Sequence, residues 1–131
     1  MSNPTSIPQF LKELKEERAQ LAGEIRVQIE TLRDGSKPGL VSAAGALIGL
    51  GTRRDIVAYV IETLHRGATV GNQDPVYRLQ MLEDLLLDRL YGEIDTATSA
   101  LGHGAIAVRQ RVLRDMIRRT RGLRTDLERG R

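Results

Sequence analysis

Ile7, Leu11, Leu14, Arg18, Leu21, Ile25, Gln28 and Leu32 follow one another at alternating spacings of four and three. That is the seam of a long amphipathic helix, widened by Phe10 and Ile29. Thr5 or Ser6 can cap its start, Pro8 is tolerated in the first turn, and Gly35 after Asp34 is a natural stop. The pattern predicts one helix over residues 7–34. Arg18 and Gln28 interrupt the seam, as polar residues do where register and partner number are set.

Ser36-Lys37-Pro38-Gly39 forms a turn, and the uncharged run LVSAAGALIGLG follows it. Gly49-Leu50-Gly51 then predicts a break, and Thr52-Arg53-Arg54-Asp55 a new start as a capping-box variant. The second helix is accordingly expected in two pieces, 40–49 and 53–66, the latter striped by Ile56, Val57, Val60, Ile61 and Leu64. Residues 67–73 read as a loop, and Asp74-Pro75 as a third helix start, cap followed by first-turn proline. That helix, roughly 75–100, places Leu79, Leu82, Leu86, Leu90 and Ala97 inward. Gly102-His103-Gly104 separates it from a fourth helix over 105–128, striped by Ile106, Leu113, Met116, Ile117, Thr120, Leu123 and Leu127. No stretch alternates with period two. The expected fold is all-α, a bundle of about four long helices with the second broken, in a single domain of residues 1–131.

Charge changes this picture at one end. Nine of the seventeen arginines lie between Arg109 and Arg131, opposed only by Asp115, Asp126 and Glu128, a net charge of +6. Residues 1–108 carry eleven basic and fourteen acidic side chains, a net of −3. Residues 105–131 thus form a basic helix or arm, and clustered guanidinium groups attract polyanions. At 100° per residue Arg111, Arg114, Arg118 and Arg121 share one flank, beside the apolar stripe, where they can lie along a phosphate backbone. Arg124 extends the set, and Arg53 and Arg54 flank the glycine stretch as a second basic point. The competing arrangement pairs the fourth helix with the acidic third, whose Asp84, Asp88 and Asp95 share a face. Arg124 to Arg131 exceeds what that helix can neutralise, which favours an external polyanion.

Other chemistry is scarce. Cysteine is absent, which excludes disulfides, thiolate metal sites and Cys nucleophiles. One Phe, three Tyr and no Trp leave no aromatic platform for stacking single-stranded bases. Glu62-Thr-Leu-His65 has the Glu-x-x-His spacing of di-iron bundles, but Glu62 points away from the apolar stripe and no second copy exists. His103 sits between glycines and reads as a loop residue. GLGTRR could cradle an anion at a helix start, although it lacks phosphate-loop spacing. Close approach of two helices at Gly45 and Gly49 explains those glycines better. A helix-turn-helix across 41–66 would offer few side chains able to read base edges. No Ser/His/Asp set can be assembled. The expectation is a non-enzyme with no cofactor and no metal.

No signal peptide is visible in MSNPTSIPQF, and the longest uncharged run, Pro38–Thr52, has 15 residues. A bilayer span needs about 20. An intracellular soluble protein or a virion component is expected. In length, helix count, the Pro-containing start SNPTSIP, the Gly/Ala-rich LVSAAGALIGLG and the Arg-rich last helix, the chain resembles the all-helical major coat proteins of filamentous and rod-shaped archaeal viruses. The resemblance spans the chain and contains no diagnostic motif. It implies a self-assembling virion capsid subunit that coats double-stranded DNA through phosphates, without base specificity. Self-association is expected through the first-helix seam and the Gly/Ala-rich helix. The alternatives are a helical protein–protein adaptor and a small DNA-binding regulator of bacterial or phage origin.

Overall fold

A computed structural model describes residues 4–35, 37–69, 73–96 and 103–130. Among them run four helices and no strand: α1 (Ile7–Asp34), α2 (Lys37–Thr69), α3 (Pro75–Thr96) and α4 (His103–Arg129). The all-α bundle anticipated from the periodicity is the fold.

α1 begins and ends where its signals lie. Ser6 is the cap, its Oγ accepting from the Gln9 N–H at 3.2 Å. Gln9 reaches back in turn, its Oε1 accepting from the Thr5 N–H at 2.9 Å and from the Thr5 hydroxyl at 2.8 Å. This reciprocal arrangement satisfies donors that a helix start leaves open. Gly35 ends the helix at φ 79°, in the left-handed region that glycine enters without steric cost. α3 starts at Pro75, as the Asp-Pro pair indicates.

α2 corrects the expected break. It is one helix of 33 residues that passes through Gly49, Leu50 and Gly51. A glycine costs a helix only about 1 kcal/mol against alanine, a deficit that packing overrides. Here α2 lies along α1 and touches α3 and α4 as well. Thr52, read as a cap, instead turns its hydroxyl back to the Ile48 carbonyl at 2.8 Å, a bond made inside a continuing helix. α2 also runs past Gly67, into the segment expected as a loop. The turn residue Ser36, the expected loop residues 70–72, and Ala97 to Gly102 lie outside the described residues.

Two helical pairs, α1 with α2 and α3 with α4, pack on each other around α2. The core gathers Ile7, Phe10, Leu14 and Leu21 with Ile56, Val57, Val60, Ile61 and Leu64. Leu79, Leu82, Leu86 and Leu90 meet them from α3, and Leu113, Met116, Ile117 and Leu123 from α4. Arg78 ties α3 to the end of α2, donating from Nη2 to the Leu64 carbonyl at 2.6 Å. Tyr59 of α2 lies under the Arg89 guanidinium, 3.7 Å from ring centroid to carbon. Burial thins toward the α1–α2 connection. Ile25, expected to be buried, is half-buried, and Val27, Ile29, Val41 and Ile48 are exposed.

A basic helix with two sets of arginines

α4 presents its apolar stripe to the bundle because Leu113, Met116, Ile117, Thr120 and Leu123 recur at helical spacing. Thr120 is fully buried without penalty, since its hydroxyl donates to the Met116 carbonyl at 2.8 Å. The stripe fixes the rotation of the helix, and that rotation sorts the arginines.

One set turns inward. Glu83 of α3 is only 6% exposed, and two guanidinium groups meet it. Its Oε1 accepts from Arg121 Nε at 2.7 Å and its Oε2 from Arg124 Nε at 2.9 Å. Arg124 also donates from Nη1 to Glu128 at 2.9 Å. The hydrogen bond to Glu83 is the chief reason the Arg124 guanidinium is held above its ordinary pKa, with Glu128 adding to it and burial opposing it. Arg119 reaches α1, where it bonds Glu17 at 3.0 Å and lies 5.8 Å over the Phe10 ring. A single carboxylate thus serves two arginines, which is how a buried charge is tolerated.

The other set turns outward. Arg111 and Arg114 are exposed and make no ion pair or hydrogen bond within the described residues. Arg118 pairs with Asp115 one turn back, but its side chain remains 80% exposed. Arg114, Arg118 and Arg121 line a groove of about 430 Å³ between α3 and α4, floored by Leu87, Leu90 and Ile117.

The competing arrangement pairs α4 with Asp84, Asp88 and Asp95 of α3. Two of its arginines, Arg121 and Arg124, pair with Glu83 instead. Asp84 and Asp88 are exposed and unpaired among the described residues, and the side chain of Asp95 lies outside them. The signal was present in the sequence: Leu79, Glu83, Leu86 and Leu90 follow the four-three-four spacing of an inward seam, so Glu83 occupies an apolar position. A carboxylate there demands a cation from the facing helix.

Arg53 and Arg54 sit in mid-helix. Arg53 lies 3.5 Å from Glu17, the carboxylate that Arg119 also uses, and Arg54 lies 3.5 Å from its neighbour Asp55. Because α2 is unbroken, the N–H groups of Thr52 to Arg54 belong to its ladder, and no anion cradle or helix-turn-helix forms there. Nor do Gly45 and Gly49 bring helices together among the described residues: a Cβ at either position would meet nothing there within 4 Å. Glu62 pairs with Arg66 at 2.6 Å, and His65 is exposed. His103 opens α4 instead of sitting in a loop. Among the described residues no three His, Asp or Glu side chains gather as a metal site. No helix among them is long and apolar enough to cross a membrane. No protein-family model, curated protein or solved structure matches this chain.

Proposed function

We propose that this chain is a non-enzymatic, self-associating structural protein that coats or packages duplex DNA through phosphate contacts, without base specificity, as a virion capsid-type subunit does. The observation that carries the reading is the division of labour on α4. Arg119, Arg121 and Arg124 anchor the helix, which leaves Arg111, Arg114 and Arg118 directed outward over two turns, about 10 Å of helix. Exposed guanidinium groups on a rigid rod contact phosphate and carry no base information. Self-association through α1 and the first half of α2 is supported by the exposed Val27, Ile29, Val41 and Ile48, and by Gly45 and Gly49, where an added Cβ would meet nothing within 4 Å among the described residues.

The test is duplex DNA affinity as a function of salt. Replacing Arg111, Arg114 and Arg118 together with glutamine should reduce the slope of log K against log salt by about 2.7, at about 0.9 per contact. Random and defined sequences should bind alike. An unchanged slope in a folded variant removes the phosphate reading. The adaptor reading is favoured by a separate observation, the apolar residues exposed on α3, and it expects no salt-sensitive DNA binding.

A further inference from the structure

Four of the large apolar side chains that the described residues leave exposed sit on α3: Tyr77 (47% exposed), Met81 (46%), Leu85 (37%) and Tyr91 (61%). At 100° per residue they fall within one third of the helix circumference, and Asp84 and Asp88 fall among them. Two carboxylates one turn apart on a single face repel each other. Neither finds a cation among the described residues. Beside this ridge, past Leu87, runs the groove between α3 and α4. Its rim holds Arg114, without a partner among the described residues, and the largely exposed Arg118 and Arg121.

One surface of the molecule therefore carries an acidic apolar ridge next to a basic apolar groove. We infer that this surface docks a second copy of the chain about a two-fold axis. The α3 ridge of each subunit seats in the α3–α4 groove of the other, and Asp84 and Asp88 meet the Arg114 and Arg118 of that second copy. The occupant is a second copy because both complementary halves lie side by side on the same face, the condition for an isologous interface. The apolar side chains supply burial, and the charges set register and exclude the parallel arrangement. A single ridge-and-groove contact buries on the order of 1,000 Å² in total, the low end of specific interfaces, so a weak dimer is the expectation. The inference rests on the reading of the chain as self-associating, and it adds a contact at α3 and α4 to the one proposed at α1 and α2.

The experiment is sedimentation equilibrium of the full chain, without nucleic acid, from about 5 to 500 µM, a range bracketing such a Kd. Three samples are compared: the parent, Asp84→Arg/Asp88→Arg, and Arg114→Glu/Arg118→Glu, with circular dichroism confirming that each folds. The parent should form a dimer weakened by salt, and each variant alone should raise Kd about tenfold or more. Mixing the two variants in equal amounts should restore the dimer, because each then offers what the other lacks. Failure of the mixture to restore it overturns the inference. A parent dimer that both variants leave intact also overturns it, placing self-association elsewhere. A parent that stays monomeric throughout removes self-association itself.

Discussion

Glu83 is the α3 carboxylate that two arginines of α4, Arg121 and Arg124, share. Exchanging it for glutamine keeps the volume and removes the charge. In the parent its two oxygens accept from Arg121 and Arg124 at 2.7 and 2.9 Å. A hydrogen bond to a charged group contributes about 1.5–3 kcal/mol when buried. The Arg121 side chain is 54% exposed, so its share is discounted to about 0.5 kcal/mol for screening by water. The Arg124 side chain is 20% exposed and keeps Glu128, so its loss is put at about 1.5–2 kcal/mol. The sum is about 2–2.5 kcal/mol, or a fall in Tm of about 6–12 °C for a domain of this size. Urea unfolding at constant slope measures it. A cycle with Arg124→Gln isolates the pair, whose coupling should exceed about 1 kcal/mol. Asp84→Asn, one position along and unpaired, should change stability by less than about 0.5 kcal/mol. If Glu83→Gln behaves like Asp84→Asn, α4 is held by its apolar stripe alone and the assignment of Arg121 and Arg124 as anchors is wrong.

Two further outcomes follow from the same geometry. Replacing Gly45 and Gly49 with alanine fills open space inside a helix, so the monomer should gain roughly 1–2 kcal/mol by thermal unfolding, and a loss would show that these glycines are packed against something. The arginine sets should separate: Arg111→Gln/Arg114→Gln should leave Tm within about 2 °C and flatten the DNA salt slope, whereas Arg121→Gln/Arg124→Gln should lower Tm by several degrees.

The legible parts of the fold are those governed by local chemistry. The limits of α1 follow from Ser6, Pro8 and Gly35, the start of α3 follows from Asp74-Pro75, and the inward stripes follow from periodicity alone. The break expected in α2 does not form because glycine is a weak breaker and Thr52 serves a cap or a back-bond equally well; only contact along α1 decides between them. Ile25 fits the seam perfectly and is still only half-buried, since a seam tells which face is apolar and not how far the partner helices extend. For α4 the flank of Arg111, Arg114, Arg118 and Arg121 was visible, but its division was not. Whether Arg121 points to solvent or to α3 depends on the rotation of two helices against each other, and in the fold that rotation brings it to Glu83.

That division has a consequence for how assembly and DNA binding relate. Arg114 and Arg118 stand both on the outward face and on the rim of the α3–α4 groove. Their guanidinium groups cannot serve the Asp84 and Asp88 of a second copy and a DNA phosphate at once. Where two ligands need one group, the coupling between them is unfavourable and reciprocal. Duplex DNA should therefore weaken the α3–α4 dimer by the same factor by which dimerisation weakens DNA binding, and of the outward three only Arg111 is left to phosphate in the dimer. Sedimentation of the parent with a short duplex measures the sign: the protein-to-protein Kd should rise about fivefold or more at saturating DNA. Subunits packed along a longer duplex would then meet through the α1–α2 end, where Val41 and Ile48 are exposed. A dimer that tightens as DNA is added would mean that the two sites are distinct, and that Asp84 and Asp88 find their cations somewhere other than Arg114 and Arg118.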